Sequence, residues 1–262
     1  MNATWKRECS AKRGVICGTD QSLEWILPWW WSRYSAYNTF PVTFCDFGMS
    51  QEAKAWCQER GEVVSILFDR SAVTSIENIA PDKVASWEGI YGKGIWQGRP
   101  YWFQKPFAFL ESPYERSIWI DLDCEILTSI APLFEYFEKE AELGIVRDFL
   151  FSHLPRFHPE VAYNSGIVVF EHGSKLIQTW AEEALRSNHL FWGDDPLLAH
   201  LINTLRIPVI EIPEIWNWRL SQGFNLNVNI VHWTGTGGKG YIREKGGIKP
   251  LFDQFYQSIG LA

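Results

Sequence analysis

The sequence lacks any run of about 18 consecutive apolar residues, the length that a membrane-spanning helix requires. We therefore predict no transmembrane segment, while peripheral contact with a membrane is compatible with the sequence. The first residues carry charges and no apolar stretch, so we expect no signal peptide. Basic residues are also scarce, 24 against 31 acidic residues, and the formal net charge is -7. Binding to nucleic-acid phosphates needs an excess of Lys and Arg, so we expect no nucleic-acid partner.

Paired cysteines are missing as well. The five cysteines are odd in number, and no Cys-x-x-Cys pair occurs, which argues against a thiolate zinc site. Free thiols are typical of a reducing compartment, so we expect a cytoplasmic protein. The sequence also has no low-complexity linker and no internal repeat. We therefore predict one domain that spans residues 1–262.

Aromatic residues, in contrast, are abundant: the chain has 15 Trp, and aromatic residues make up 16% of it. With 46% hydrophobic and 21% charged residues, the composition is that of a folded domain rather than a disordered chain. We expect most of the large rings in the core. Because sugar rings also stack on aromatic faces, the composition mildly favours a carbohydrate ligand.

Apolar strand patterns alternate with helix patterns along the chain. Strands are predicted at residues 14–19, 41–47, 62–67, 117–122, 145–146, 167–170, 207–212 and 229–233. Helices are predicted at residues 24–37, 50–60, 101–110, 132–142, 174–186 and 196–205, with a break near Pro106 and loops at 91–94 and 97–100. This alternation predicts an α/β fold in which helices cover the faces of a parallel sheet.

The predicted strand at residues 117–122 runs into an acidic motif. Side chains alternate along an extended chain, so Asp121 and Asp123 point the same way while Leu122 points back toward the core. Both carboxylates lie at the C-terminal end of a buried strand, where open α/β sheets bind ligands. A hard divalent cation would remove their mutual repulsion and bridge to phosphate oxygens. The plainer interpretation is a strand that ends in a charged turn.

A histidine and a glycine-rich segment follow the last predicted strand, in the order Val231-His232-Trp233-Thr234-Gly235-Thr236-Gly237-Gly238-Lys239. We expect a loop here, in which glycines such as Gly235 let backbone N–H groups approach phosphate oxygens. Lys239 can neutralise a diphosphate. His232 can supply a nitrogen ligand to a cation, or it can be a hydrogen-bonded core residue. The spacing is not that of a P-loop.

Two polar motifs lie between these segments. Asn164, Ser165 and Gly166 lead into a predicted strand, where Asn and Ser can hydrogen-bond sugar hydroxyls and Gly permits close approach. The acidic pair Asp194 and Asp195 comes just before a predicted helix. Each motif also has a plainer interpretation, the first as an ordinary entry to a strand and the second as helix capping by Asp195.

In this order, the four motifs resemble those of the GT-A glycosyltransferases, most closely glycosyltransferase family 8 and its relatives. The resemblance covers roughly residues 14–239, of which residues 69–98 match poorly. It implies an α/β, GT-A (Rossmann-like) fold in a single domain, with a mixed, mainly parallel sheet flanked by helices. A nucleotide-binding half would span about residues 13–125, and a donor-sugar and acceptor half about residues 126–262.

The resemblance also implies a role for each motif. It implies that Asp121, Asp123 and His232 hold Mn²⁺, or Mg²⁺, against the diphosphate of a nucleotide sugar. The implied catalytic residues beside the anomeric carbon are Asn164, Asp194 and Asp195. The implied donor-binding residues are Cys17, Gly18, Thr19, Lys105, Asp121, Leu122, Asp123, Ser165, Gly166, Gly235 and Lys239.

We therefore predict a metal-dependent hexosyltransferase that uses a UDP-sugar and retains the anomeric configuration. Its acceptor would be a glycan, a lipid-linked saccharide or a protein. The chain departs from the family at two places: Lys239 falls one residue late and is followed by Gly240-Tyr241 instead of Pro-Trp, and the acidic pair is Asp-Asp instead of Asp-Gln.

Three alternatives follow from the same residues. A sugar nucleotidyltransferase usually has a glycine-rich basic loop after its first strand, and residues 18–22 are acidic and short of glycine. A non-catalytic carbohydrate-binding protein would suit the Trp content but would have no use for a pair of carboxylates that binds a metal ion. In a wholly structural interpretation, each motif is only a turn or a cap.

Overall fold

The computed structural model describes residues 3–136, 141–148, 161–223 and 225–258. The strands are β1 (Ala11–Thr19), β2 (Val42–Asp46), β3 (Glu62–Ser65), β4 (Tyr114–Ile120), β5 (Cys124–Ile126), β6 (Leu143–Arg147), β7 (Tyr163–Glu171), β8 (Val209–Ile212) and β9 (Ile230–His232). The α-helices are α1 (Leu27–Ser35), α2 (Gln51–Gln58), α3 (Pro81–Tyr91), α4 (Ile95–Phe109), α5 (Lys175–Arg186), α6 (Asp194–Leu205), α7 (Gly235–Lys245) and α8 (Lys249–Ser258). Within these residues, no helix is long and apolar enough to cross a membrane.

Seven strands form the main sheet in the order β3-β2-β1-β4-β7-β6-β8. The pairs β3–β2, β2–β1, β1–β4 and β6–β8 are parallel, whereas β7 runs antiparallel to both of its neighbours. Among the described strands of this sheet, β7 alone is reversed, so it begins at the edge where the other strands end. The predicted α/β fold with a mixed, mainly parallel sheet flanked by helices is confirmed. A second, two-stranded antiparallel sheet joins β5 to β9.

Both faces of the main sheet are covered, because consecutive residues of its central strands pack into two different hydrophobic clusters. In β4, Ile118 and Ile120 belong to one cluster and Trp119 to the other. In β7, Val169 belongs to the first of these clusters and Val168 to the second. One cluster lies under α1 and α2, and the other lies under α4, α5 and α6. Burial on both faces explains why the sequence of these strands is almost continuously apolar.

Two helices begin directly after a serine whose hydroxyl caps them. The Ser50 hydroxyl accepts a hydrogen bond from the backbone N–H of Ala53 at 3.1 Å, which caps α2. The Ser174 hydroxyl caps α5 in the same way, with the N–H of Ile177 at 3.3 Å. Each of these two caps satisfies one N–H that has no partner within its helix.

Several predicted boundaries are wrong. Residues 97–100 lie within α4, and Pro106 does not break this helix, because tight packing of its buried face offsets the backbone hydrogen bond that each proline removes. The helix α3 and the three-residue strand β5 were not predicted. Of the helix predicted at residues 132–142, the structure has a 3₁₀ helix at Ala131–Tyr136, and residues 137–140 lie outside the described part of the chain.

Candidate functional site

Pairing between β5 and β9 brings a histidine beside the acidic motif. The register pairs Cys124 with His232, and the backbone N–H of Trp233 donates to the carbonyl oxygen of Asp123 at 2.9 Å. The Nε2 atom of His232 lies 3.2 Å from Asp123 Oδ1 and 3.8 Å from Asp121 Oδ2. The three residues that the sequence predicts as cation ligands are therefore adjacent in space.

The other ring nitrogen of His232 faces two amide oxygens. Its Nδ1 lies 2.8 Å from Asn217 Oδ1 and 3.1 Å from Asn164 Oδ1. The amide orientations are fixed by further bonds, because Asn217 Nδ2 donates to Asn164 Oδ1 and Asn164 Nδ2 donates to Asp195 Oδ2, both at 2.8 Å. An N–H at Nδ1 can donate to these two amide oxygens, and Nε2 is the ring nitrogen that faces the carboxylates.

Asn217 is a site residue that the sequence analysis missed. It lies in the segment Ile215-Trp216-Asn217-Trp218, where the two tryptophans draw attention and the asparagine belongs to no recognisable motif. A buried amide between large apolar residues is unusual, because its polar atoms need partners. That contrast with its neighbours is the one signal in the sequence that could have indicated a role for Asn217.

The converging atoms fit a divalent cation. Two carboxylates and the lone pair of a neutral imidazole are all acceptors, and a cation between them would relieve the repulsion that they otherwise share. Within the described residues, ligand atoms of Asp123, Cys124 and His232 also lie within 4.8 Å of one another. Burial raises the pKa of Cys124 well above its usual value, so its thiol stays protonated and is a weak ligand. Carboxylate oxygens with one imidazole nitrogen suit Mn²⁺ better than Mg²⁺.

Two lysines neutralise the two carboxylates of the motif. Lys105, on α4, has Nζ 2.9 Å from Asp121 Oδ1 and donates to Ser165 Oγ at 2.8 Å. Lys239, on α7, has Nζ 2.5 Å from Asp123 Oδ2. Burial would lower the pKa of Lys105, but nearby carboxylates, first that of Asp121, raise it above its usual value. Lys239 shows the same balance, so both groups stay charged at neutral pH.

The carboxyl group of Asp123 is strongly acidic for the same reason. Burial by itself would raise its pKa, but the ammonium group of Lys239 outweighs burial and holds the pKa well below the ordinary value. Asp123 is therefore ionised throughout the physiological range, which is the form that binds a cation.

The predicted polar motif and the acidic pair are in direct contact. The Ser165 hydroxyl donates to Asp194 Oδ2 at 2.8 Å, and the Ser165 backbone N–H donates to Asp195 Oδ1 at 2.7 Å. Neither aspartate caps α6, because the residue before the helix is Gly193 and no side chain bonds there. The helix-capping interpretation of Asp195 is therefore wrong. Burial raises the pKa of Asp194 to about 7, against the opposing charge of Lys105.

Glycine at position 166 is required by the close approach of the histidine ring. A Cβ atom at Gly166 would lie 2.4 Å from Cε1 and 2.5 Å from Nδ1 of His232. The Gly166 carbonyl oxygen also accepts the backbone N–H of Asp121 at 2.9 Å, so the start of β7 lies directly against the acidic motif. The reversed direction of β7 is what brings these two segments together.

The glycine-rich segment is not the predicted loop. Helix α7 begins at Gly235, whose φ of +73° favours glycine, and Thr234 precedes it. The helix is held by stacking of Tyr241 on Trp233, with ring centroids 4.7 Å apart. Lys239 therefore reaches Asp123 from a helix rather than from a flexible loop. The first N–H groups of α7 have no partner within the helix, as phosphate-binding helix ends require.

Four of the predicted donor-binding residues differ in how far they are exposed: Cys17, Gly18, Thr19 and Leu122. Cys17 is fully buried in the core, and Leu122 packs in the same cluster, so neither side chain is accessible to a ligand. The Thr19 side chain is also buried and donates to the carbonyl oxygen of Asp20. Gly18 is partly exposed. A contact of Cys17 or Leu122 with the donor would therefore be made by the backbone, and the role of both residues in donor binding stays a prediction.

Comparison with known proteins gives a fold but no sequence relative. No protein-family model matches the chain, and no curated protein matches its sequence. The structure of the galactosyltransferase LgtC with donor and acceptor sugar analogues is similar, with 12% identity, a TM-score of 0.58, and coverage of 85% of this chain and 87% of that one. Apo mouse xyloside xylosyltransferase 1 is also similar, with 18% identity, a TM-score of 0.52, and coverage of 86% and 98%.

The glycosyltransferase GlyE of Streptococcus pneumoniae gives a similar result, with 15% identity and a TM-score of 0.58, and the match covers 87% of this chain and 55% of GlyE. At identities this low the likeness concerns the fold. The seven-stranded sheet with its reversed strand β7 is accordingly the GT-A fold of nucleotide-sugar transferases.

Proposed function

We propose that the protein is a metal-dependent glycosyltransferase that moves a hexose from a UDP-sugar to an acceptor. The observation that carries the proposal is the convergence of three possible cation ligands: His232 Nε2 lies 3.2 Å from Asp123 Oδ1 and 3.8 Å from Asp121 Oδ2. A divalent cation bound there would neutralise the charge that develops on the departing diphosphate.

The basic groups of the chain would share that work. Lys105 and Lys239 are buried or half-buried, charged and adjacent to the carboxylates, so either ammonium can turn to a phosphate oxygen when a diphosphate enters. The N-terminal end of α7 adds backbone N–H groups on the same side as Lys239. This arrangement supports a diphosphate leaving group, which is the part of the donor that all nucleotide-diphosphate sugars share.

The donor sugar would lie against Asn164 and the pair Asp194 and Asp195. Asn164 contacts both His232 and Asp195, so this one side chain separates the proposed sugar position from the proposed cation position. UDP and retention of the anomeric configuration are proposed on the resemblance to family 8. In this scheme residues 13–125 supply most of the nucleotide side, and residues 126–262 supply most of the sugar side.

The test is release of nucleoside diphosphate from a panel of nucleotide sugars, with and without Mn²⁺. We expect release by the wild-type protein only with the cation. Replacement Asp123→Asn is expected to lower release about a hundredfold or more, because it removes a ligand and a charge. The matched control is Glu171→Gln, at the far end of β7, where Glu171 pairs with Arg116 and is remote from the motif.

Each outcome separates the alternatives. A nucleotidyltransferase would form nucleotide sugar from nucleoside triphosphate and sugar phosphate instead of releasing diphosphate. A carbohydrate-binding protein would release none. Equal activity of the wild-type protein and Asp123→Asn, or Mn²⁺-independent binding of UDP by calorimetry, contradicts the proposal.

A further inference from the structure

An aromatic surface lies next to the proposed donor-sugar position. It consists of Tyr91 at the end of α3, Trp102 on α4, and Trp192 in the turn before α6. The centroid of the Tyr91 ring lies 4.7 Å from that of Trp192 and 6.0 Å from that of Trp102. Tyr91 is 39% exposed, and both tryptophans are partly exposed. We call these three residues the aromatic platform.

Backbone connections join the platform to the acidic pair. Trp192 comes two residues before Asp194, and Gly193 between them packs on Trp102, whose ring a Cβ atom there would meet at 3.2 Å. Trp102 also lies one helical turn before Lys105, the lysine that pairs with Asp121, so both project from one face of α4. The platform is therefore anchored by the same two elements that hold the site.

The platform connects to the charged groups of the site through Trp192. The groups follow in a sequence: the cation ligands, then Asn164, then the acidic pair Asp194 and Asp195, then Trp192 two residues before Asp194, whose ring centroid lies 4.7 Å from that of Tyr91. In agreement, burial, followed by the charges of Asp195 and Asp148, raises the pKa of the Tyr91 hydroxyl. Asn164 bonds both to His232 and to Asp195, which fixes the middle of that sequence.

From this sequence of contacts we infer that the aromatic platform binds the acceptor, and that the acceptor is a saccharide whose ring stacks on Tyr91 and Trp192. The inference rests on the proposed function, because it takes the cation ligands as the diphosphate end of the donor. A sugar ring has an apolar C–H face that packs on aromatic carbon, and its hydroxyls would find acceptors in the nearby carboxylates. The platform is joined to those carboxylates through Trp192, two residues before Asp194.

The nearest alternative is that these rings only close a small core. Beneath them lie Ile79, Trp87 and Ile95, which form a hydrophobic cluster of their own. Trp102 and Trp192 each pack part of their surface against that cluster, but both remain partly exposed, and 39% of the Tyr91 surface is exposed beside them. A ring left in contact with solvent beside carboxylates is instead the arrangement that sugar-binding surfaces use.

Saturation-transfer difference NMR on the full chain tests the inference directly. The probes are lactose, methyl β-D-galactopyranoside and methyl β-D-glucopyranoside. We expect saturation of at least one of them by the wild-type protein, and binding weaker by roughly tenfold in Tyr91→Ala and in Trp192→Ala, the scale of one lost aromatic contact. Tyr91→Phe, which keeps the ring, is expected to bind as the wild type does.

The control is Trp56→Ala. Trp56 is also partly exposed, but it lies on α2, where Arg60 packs over its ring, and the opposite cluster of the core contacts it. Equal saturation in wild type and Tyr91→Ala, or saturation of none of the three glycosides by the wild type, overturns the inference. Because binding is measured without donor, a protein that binds glycosides but releases no nucleoside diphosphate would refute the proposed function and leave the saccharide site standing.

Discussion

At the scale of single residues, Asn217 determines which nitrogen of His232 faces the carboxylates. Its Oδ1 accepts the Nδ1 hydrogen at 2.8 Å, and its Nδ2 holds Asn164 in the orientation that also accepts it. Partners of this kind orient metal-binding histidines and make them more basic. Asn217 touches no proposed substrate, so we assign it as a positioning residue.

Replacement Asn217→Ala is expected to weaken Mn²⁺ binding by about 10- to 100-fold, because the imidazole loses the acceptor that fixes its tautomer. Titration followed by electron paramagnetic resonance measures the affinity, and ¹⁵N shifts of His232 report the tautomer. Asn217→Asp keeps an acceptor and should restore most of the affinity, while the exposed Asn78→Ala should change nothing. Unchanged tautomer and affinity in Asn217→Ala would contradict this role.

The five cysteines should differ sharply in reactivity. Cys9 is exposed, whereas burial encloses the other four and raises the pKa of Cys17 and Cys124 well above the usual thiol value. We expect one fast-reacting thiol in the native protein at pH 8 and five after unfolding, measured with a chromogenic disulfide reagent. Cys9→Ser should remove the fast reaction. A fast-reacting thiol that remains in that variant would show that the core opens readily.

Residues that carry a motif could be found from the sequence, and residues that act through a partner could not. Asp121 and Asp123 follow a recognisable buried strand, and the structure places both beside His232. Cys17 lies in a strand whose burial the apolar pattern predicts, and its assignment to donor binding follows from the family resemblance alone. Asn217 was missed because its role exists only once His232 is beside it.

At the scale of secondary-structure elements, the end of α6 carries local strain. Arg206, the residue after α6, has φ of +52° and ψ of +43°, a left-handed conformation that glycine adopts most easily. Its side chain is exposed. A Cβ atom in this conformation is unfavourable, and the position is one where natural helices commonly end in glycine.

Replacement Arg206→Gly is expected to raise the free energy of unfolding by up to about 1 kcal/mol, since relief of strain exceeds the added freedom of the unfolded chain. Urea unfolding followed by circular dichroism gives the value. Arg206→Ala is the matched control: it removes the same side chain but keeps Cβ, so we expect no gain. Equal stability of the two variants would show that strain at this residue is negligible.

The main strands and most helices could be predicted because their periodicity is local. The elements that complete the site could not. β5 is three residues long and exists through its pairing with β9, and α7 forms from a glycine-rich segment because Tyr241 and Ile242 pack against the folded core. Tertiary contacts override weak helix propensity in such segments.

At the scale of the whole molecule, the buried carboxylate of Glu125 joins three distant segments. It accepts hydrogen bonds from Trp233 Nε1 at 3.0 Å and from the backbone N–H groups of Ile248 and Lys249 at 2.6 and 2.9 Å. Arg33, on α1, lies 3.3 Å away. A single side chain on β5 thus links α1, β9 and the start of α8.

Replacement Glu125→Ala is expected to lower the free energy of unfolding by about 3 kcal/mol or more, because several buried donors and the charge of Arg33 lose their partner. Thermal and urea unfolding measure the loss. Hydrogen exchange should also rise over residues 246–249 before it rises in β1. Glu135→Ala, which removes an exposed partner of Arg13, should cost little. Comparable losses in the two variants would contradict a linking role for Glu125.

The pairing of β5 with β9 also bears on the order of events during synthesis. The acidic motif leaves the ribosome long before the histidine that completes it, and closing so large a loop is slow relative to local folding. A nascent chain that ends before β9 would already contain β1 to β4 and yet offer a cation only the carboxylates. The proposed cation site is therefore complete only after residue 232 has been synthesised.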